Sequence, residues 1–539
     1  MAQGGFLDNQ NVPPPIFALV AMVGDEPTHQ EAMASSEKPQ WLEAEGEEMR
    51  RIREMGTWVL VKRPPGANVV GSVWVLKKKR DENNKVEKYK ARVCAQGFSQ
   101  IPGVDFGQTS SPTARLSSLR FILALAAAQD WEIHQIDFKN AYLNGDLDEE
   151  IYMKQPPGFE EPGREDWVCK LLKAIYGLKQ AGRQWYLKVK ELFEGLGLQR
   201  CEYDQGVFYL HLTKLNIIVA IHVDDCTLVS NTRMVMERLK AEIANRFEIS
   251  DLGEAKWLLG FEIRRDRRAR TISLSQGSYI DTLISRFNLI DANPTTTPLD
   301  PHSNLFLPIT DSMRQEMRHK PYSQLVGSLM YAAICTRPDI AYSTSTLAQF
   351  MSDPSPIHWE AAKRVLRYLK GTKDLALTFG GDLTDLVGFT DADWGSQAHR
   401  HSISGNVFMF CGGAISWSSR KQPLVALSST EAEYIAASDA ARELIWIRNL
   451  ISEITIPITN SITLFCDNQS AIRISSSSLI HTRTKHIDIR YYFIRHIIET
   501  GTLTLEYCPT DEMVADIFTK ALARARLEYL VGRLGLDQA

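Results

Sequence analysis

A chain of 539 residues, 44% hydrophobic and 23% charged, has ordinary globular composition and is too long for one hydrophobic core, so about two to four compact units are expected. The formal charge of −4 excludes nucleic-acid binding through an overall positive field and leaves that role to local basic surfaces. Eight scattered cysteines with no C-x-x-C pair exclude a zinc knuckle and a disulfide scaffold, and neither a signal peptide nor a bilayer-length apolar run is present, so a soluble intracellular chain with reduced thiols is expected.

Residues 1–26 contain Gly, Asn and the run Pro13-Pro14-Pro15 without a sustained period, and read as a flexible tail. From 30 to 55, apolar and aromatic positions among Glu and Arg fit a helix; 57–61 is strand-like and Pro64-Pro65-Gly66 is a turn. Residues 69–76 and 88–93 resemble the strands of a hairpin. This stretch is basic: Lys62, Arg63, Lys77, Lys78, Lys79, Arg80, Lys85, Lys88, Lys90 and Arg92 stand against only Asp81, Glu82 and Glu87. Such runs are commonly a solvated face.

Residues 131–138 read as a strand carrying Asp137 near its end, and 216–223 with 226–230 read as a hairpin with Asp224-Asp225 at its tip. A lone acid at a strand end is usually a turn former. Adjacent like charges in an otherwise apolar hairpin repel each other, however, and a bound cation relieves that repulsion. Mg2+ suits such a place, because it prefers oxygen ligands and combines one or two carboxylates with waters and substrate phosphates.

A turn-rich segment at 293–304 precedes helical patterns at 322–334, 339–351 and 358–370, read as a helical connecting region. After Gly380-Gly381 come strands at 386–390, 406–411 and 414–418, a helix at 430–451, a strand at 462–466, a helix, a strand at 502–507 and a last helix, which make a mixed α/β domain. A second set of acids punctuates it. Asp391 and Asp393 end a strand, Glu431 and Glu433 open the long helix, Asp467 follows a strand, and Asp516 is placed on a C-terminal helix.

Lys90-Ala91-Arg92 through Gly97-Phe98-Ser99-Gln100, the Asp137 strand, Tyr176-Gly177-Leu178-Lys179-Gln180-Ala181, Asp224-Asp225 and Trp257-Leu258-Leu259-Gly260 occur in one order along the chain. In that order they resemble the polymerase of copia-type LTR retrotransposons, relatives of retroviral reverse transcriptases, from about residue 27 to the C-terminus. The resemblance implies an α+β fold: a right-hand polymerase with fingers and palm at 27–264, thumb and helical connecting region at 265–380, and an α/β ribonuclease H-like domain at 381–539.

It further implies that Asp137 and Asp224 hold two Mg2+ ions, with Asp225 alongside, the Phe138 carbonyl as a ligand and Mn2+ as a substitute. Tyr142 resembles the aromatic residue beneath the incoming sugar, although a core tyrosine reads the same from spacing alone. Gln180 resembles the glutamine that contacts the nucleotide, and Lys90 or Arg92 reaches the triphosphate. Trp257, Leu259 and Gly260 resemble a primer grip, although a buried apolar strand would read alike. In the second set, Asp391, Glu433, Asp467 and Asp516 resemble the metal-binding quartet of ribonuclease H. Glu433-Tyr434-Ile435-Ala436 fits the family pattern better than Glu431, which is well placed as an acid favoured by the helix N-terminus.

Departures from the family pattern are His222, where an aromatic residue is usual; Gly182, where proline is usual; and Tyr507-Cys508-Pro509-Thr510, a loop without the histidine of many ribonucleases H. The stretch His481 to His486 admits hybrid contact or a structural role equally. The implied activity is RNA- and DNA-directed DNA synthesis with cleavage of the RNA strand of hybrids. RNA template, DNA or RNA primer and dNTPs would be the substrates, and a second copy and the parent element's Gag and integrase products the partners. A cytoplasmic particle and the nucleus are the implied locations. The alternative is a catalytically silent or host-adopted relic that only binds nucleic acid. With zinc knuckles, a protease box and an integrase zinc site absent, a processed product or a truncated frame is expected.

Overall fold

The computed structural model describes residues 25–538 apart from 81–84, 382, 384–385, 398–399, 456–457, 459 and 477–487. The tail up to residue 24, Asp81, Glu82 and the His481 to His486 stretch therefore lie outside the described residues. The chain divides into two compact units, Ala18–Ala114 with His134–Gly253, and Arg115–Ile133 with Glu254–Ala539.

In the first of these, the helical pattern at 30–55 is realised as two helices, His29–Ala34 and Lys38–Glu54. Thr28 starts the first in a reciprocal capping box with Glu31, Ser35 leaves helical geometry, and Pro39 in the first turn of the second presets the next start. The second helix buries Trp41, Met49 and Ile52 in a core shared with Trp74, Leu76 and Val93 of the basic hairpin. That hairpin pairs Ser72–Arg80 with Val86–Ala95, Val75 opposite Arg92 and Lys77 opposite Lys90. Strand alternation puts Ala91, Val93 and Ala95 in the core and Lys90 and Arg92 on the other face.

A six-stranded sheet follows in the order Ile249–Glu254, Glu132–Phe138, Asp225–Ser230, Leu215–His222, Val207–Leu212, Gln199–Arg200. Ile136, Phe138, Val219 and Leu228 pack with Trp185, Val189 and Phe193 of helix Ala181–Gly195 and with Met236 and Leu239 of helix Arg233–Ala244. The aspartate hairpin turns at Val223-Asp224, not at Asp224-Asp225, because His222 pairs with Asp225.

In the other unit, helix Leu116–Ala128 is buried at every position from Ser118 to Ala128, so no amphipathic period marks it in the sequence. A five-stranded sheet has the order Trp257–Leu258, Phe261–Asp266, Thr271–Ser275, Leu375–Gly380, Leu536–Gln538. The helical connecting region is present as Tyr322–Cys335, Ala341–Ala348 and Pro356–Gly371, locked by buried Arg337, whose guanidinium bonds Asp339 at 2.6 Å and Thr372 at 2.7 Å. The α/β domain has the order Gly413–Lys421, Ile403–Phe410, Val387–Asp393, Ile462–Cys466, Leu503–Tyr507, antiparallel through the first three strands and parallel after Val387–Asp393. Helix Ser429–Ile454 follows the antiparallel strands.

The architecture is thus α+β: a six-stranded sheet with its packed helices, and a second unit of a five-stranded sheet, helices and an α/β domain. One position is corrected: Asp516 lies on the short 3-10 segment Val514–Phe518, and the last α-helix begins only at Arg524. No described helix is long and apolar enough to cross a membrane.

Candidate functional site

The first site is built at the end of a strand. The backbone N–H of Phe138 donates to the Asp224 carbonyl at 3.0 Å, which ties Asp137 to the hairpin turn, and the Trp185 indole donates to the Val223 carbonyl at 2.6 Å. Val223 itself is held at φ +62, in the left-handed region that β-branched residues avoid. A two-residue hairpin turn needs positive φ at its first central position, so the turn that presents Asp224 is made with strain. Phe138 contributes only its backbone, since its ring is 1% exposed and packs edge-on against Trp185 at 5.0 Å.

The three acids sit in one field. Burial raises the Asp137 carboxyl above its ordinary range and Asp224 raises it further, while Lys90, Lys79 and Arg92 pull it down in that order. Burial, then Asp224 and Asp137, push Asp225 up to about 6. Lys90 is lowered to about 8, by burial first and then by Arg92 and Lys79, against the attraction of Asp224 and Asp137. Burial holds His222 below the usual imidazole range.

Lys90 and Arg92 both act on the Asp137 carboxyl, and the Arg92 guanidinium lies 4.3 Å from the centroid of the Tyr176 ring. Tyr176 in turn packs edge-on against Tyr142 at 4.8 Å, and burial and then Asp224 raise the Tyr142 hydroxyl. Tyr142 is therefore half-buried beside the acids. Gln180 is enclosed by protein. It is 0% exposed, and its amide donates to the Asp105 carbonyl at 2.8 Å and Glu149 at 3.2 Å while accepting from Gln100 at 3.1 Å. Its side chain ties the loop carrying Asp105 to the helix start. Gly182 sits just inside that helix, where an added Cβ would lie 3.1 Å from Ser111.

Trp257, Leu259 and Gly260 belong to the other compact unit. They form a tight hairpin with positive φ at Leu259 and Gly260, its Leu259 carbonyl accepting from the Tyr331 hydroxyl. Trp257 is 52% exposed there, so this is not a buried apolar strand.

The second cluster is assembled by strand register. Thr390 pairs with Cys466 in parallel, so Asp391 and Asp467 leave neighbouring strands at the same end. Opposite Asp391 stands Gly405, where an added Cβ would come 3.0 Å from the Ala515 carbonyl, 2.8 Å from Phe518 and 2.7 Å from Thr519. Only glycine lets the 3-10 segment lie this close and deliver Asp516. Thr519 donates to Asp391, Lys520 lies 2.8 Å and Arg526 3.4 Å from Asp516, and the Thr510 hydroxyl donates to Asp467 at 3.0 Å.

Burial, then Asp516, raise the Asp391 carboxyl; burial, then Asp391 and Asp467, raise Glu433 well above its ordinary range. Glu431 is engaged in starting the helix, receiving the Leu427 N–H at 2.9 Å while Ser428 caps its own N–H at 3.2 Å. Asp393 is also raised by burial, with Ser396 and Lys520 opposing.

Both clusters suit a hard divalent cation. In the second, carboxylate oxygens of Glu433 and Asp467 lie within 4.8 Å of one another, and Glu433 Oε2 is buried with no hydrogen-bond partner among the described residues, a position a cation would satisfy. Sequence reading missed Lys79, Tyr176, Thr519 and Lys520. Tyr176 and Lys79 lay within segments already singled out, and Thr519-Lys520 follow Asp516 at helical spacing, but nothing in the pattern gave them a direction.

The family described as reverse transcriptase (RNA-dependent DNA polymerase) matches residues 55–301. The chain is 41% identical to the retrovirus-related Pol polyprotein from transposon TNT 1-94 of Nicotiana tabacum over 98% of its own length and 40% of the relative's. It is 35% identical to that from transposon RE1 of Arabidopsis thaliana, over 98% of this chain and 36% of the relative. A transposon Ty5-1 protein of Saccharomyces cerevisiae is matched along 100% of its length and 57% of this chain at 34% identity. The chain thus spans less than half the length of the plant polyproteins. Among solved structures, prototype foamy virus protease-reverse transcriptase aligns over 90% of this chain and 55% of its own at 10% identity and a TM-score of 0.26. LC11-RNase H1, isolated from compost by a metagenomic approach, aligns over 25% of this chain and 92% of its own at 16% identity and a TM-score of 0.21.

Proposed function

Because the chain belongs to the family of copia-type retrotransposon Pol proteins, we propose that it copies retrotransposon RNA into cDNA and cleaves the RNA strand of the resulting hybrid. The observation that carries the reading is that the Asp137 strand is tied to the aspartate hairpin by the Phe138 N–H bond to the Asp224 carbonyl at 3.0 Å, with Asp137 and Asp225 raised by burial and by neighbouring acids. In this reading residues 27–264 are fingers and palm, 265–380 thumb and connecting region, and 381–539 the ribonuclease H domain.

Asp137 and Asp224, with Asp225 beside them, would hold two Mg2+ ions, and Asp391, Glu433, Asp467 and Asp516 a second pair. Bound there, divalent metal activates the attacking oxygen and neutralises charge on the leaving group. The chain's own groups do the rest. Lys90, a point charge on the hairpin face opposite Ala91 and Val93, meets the triphosphate. Tyr142 fills the space under the sugar, so a 2′-hydroxyl would collide with its ring. Trp257 offers an exposed aromatic face to the primer. In the second site, Thr519, Thr510 and Arg526 fix the carboxylates on which the attacking water is oriented, and recognition depends on 2′-hydroxyls and hybrid shape. RNA template, DNA or RNA primer and dNTPs are the substrates; Gag and integrase products and a second copy are partners, in a cytoplasmic particle and the nucleus.

The test is Mg2+-dependent primer extension on an RNA template together with hybrid cleavage by the same purified protein. Asp224→Asn with Asp225→Asn is expected to abolish extension by at least about a hundredfold and spare hybrid cleavage. Extension surviving that double substitution would sink the mechanism, and template binding without incorporation by the unaltered chain would favour the silent relic.

A further inference from the structure

Beside the carboxylates of the C-terminal domain lies a group that hybrid cleavage does not use. Cys466 ends the strand Ile462–Cys466 and is fully buried, and its Sγ accepts the Asn468 N–H at 3.4 Å. A carboxylate oxygen of Glu433, Cys466 Sγ and a carboxylate oxygen of Asp467 all lie within 4.8 Å of one another. Glu433 is only 5% exposed and its Oε2 is without a hydrogen-bond partner among the described residues. A buried carboxyl oxygen left without a partner is satisfied by a bound cation. Mg2+ would take the oxygens and leave the sulfur idle, whereas Zn2+ and Cd2+ bind thiolate and carboxylate together.

We propose that Glu433, Cys466 and Asp467 form a binding site for a thiophilic divalent cation, represented by Zn2+, that differs from the Mg2+ set in its donors and shares two of its carboxylates. On binding, the thiol proton leaves to solvent as the metal–sulfur bond forms. Glu433 and Asp467 cannot serve both ions in full, so occupation by Zn2+ excludes Mg2+ and makes hybrid cleavage sensitive to traces of zinc. That last consequence rests on the ribonuclease H reading; the binding itself does not.

The full chain, stripped by chelator, is titrated with Cd2+ while the cadmium–thiolate charge-transfer absorbance is followed. One equivalent is expected to bind, to be displaced by Zn2+, and to vanish in Cys466→Ala and Cys466→Ser while persisting in Cys508→Ala. X-ray absorption at the zinc edge of the unaltered chain, which requires no variant to fold, is expected to report one sulfur among oxygens. No band in the unaltered chain, an equal band in a folded Cys466→Ala, or a sulfur-free zinc shell each overturns the site. In hybrid cleavage with Mg2+, Cys466→Ala is expected to tolerate on the order of tenfold more Zn2+. Equal inhibition of both chains overturns the exclusion and leaves the site. A cadmium band in a chain that cleaves no hybrid at any metal concentration counts against the ribonuclease H reading and not against the site.

Discussion

Arg92, Tyr176 and Tyr142 pack in series, the Arg92 guanidinium over the Tyr176 ring and that ring edge-on to Tyr142. Removing the Tyr142 ring should erase discrimination against ribonucleotides directly. Tyr176→Leu removes its edge-on support, and such ring pairs contribute about 0.5–1.5 kcal/mol, so an intermediate loss of roughly 2- to 10-fold in the dNTP-to-rNTP ratio of kcat/KM is expected. Single-nucleotide incorporation kinetics on both variants check this, and an unchanged ratio in Tyr176→Leu would show that the stack does not orient the gate.

A second residue-scale expectation concerns stability. Glu45 is 1% exposed, 3.2 Å from His29, and burial pushes its carboxyl up to about 7. A folded-state value above the unfolded one means that the folded chain holds the proton more tightly. Its contribution is complete below the ordinary value of 4.5 and is lost as pH rises through about 7. Unfolding free energies from urea titrations should therefore fall across that window by an amount on the order of 1–3 kcal/mol, and Glu45→Gln should flatten that segment.

At the level of elements, Gly405 decides whether the 3-10 segment can reach the strand. Gly405→Ala pushes a Cβ into Thr519, Phe518 and the Ala515 carbonyl. Overpacking of this kind costs about 1–3 kcal/mol. Displacement of Asp516 should lower hybrid cleavage by at least about tenfold at saturating Mg2+ while extension stays within about twofold. Wild-type cleavage in a folded Gly405→Ala would remove this account of how Asp516 is placed.

The same contrast explains what was readable in advance. Strand alternation and the isolated acids located Asp137, the aspartate hairpin and Asp391, because burial on one face leaves a period and a charge at an apolar strand end stands out. The hairpin turn was misplaced by one residue, since alternation cannot tell which two residues turn and Val223 is a poor candidate for positive φ. Asp516 was placed on a helix because 514–533 reads as helical. Thr519 instead turns toward Asp391, a tertiary bond that overrides local propensity. The hydrogen bonds of Gln180 were not legible, because its partners Gln100, Asp105 and Glu149 are remote in sequence.

For the molecule as a whole, the sheet that carries Trp257 closes on the C-terminal strand, Leu377 pairing with Leu536. A polymerase-only chain ended after Gly380 would bare that edge and the Leu377 face. It is expected to lose about 1–3 kcal/mol of stability or to self-associate through the open edge. Calorimetry and sedimentation of the shortened chain against the full one decide between these and an independent, unchanged polymerase.

Chain path adds one more consequence. Polypeptide passes between the compact units at 114/115, 133/134 and 253/254, and helix Leu116–Ala128 belongs with sequence that comes much later. On the ribosome this almost wholly apolar helix emerges before any of strands Thr271–Ser275, Leu375–Gly380 and Gly413–Lys421 that cover it. At about 5–20 residues per second, the roughly 290 residues from Ala128 to Lys421 take on the order of 15–60 s to synthesise. For that interval the helix is a greasy segment without a home. The nascent chain should recruit a holding chaperone there, and its yield should depend on translation speed downstream of residue 128.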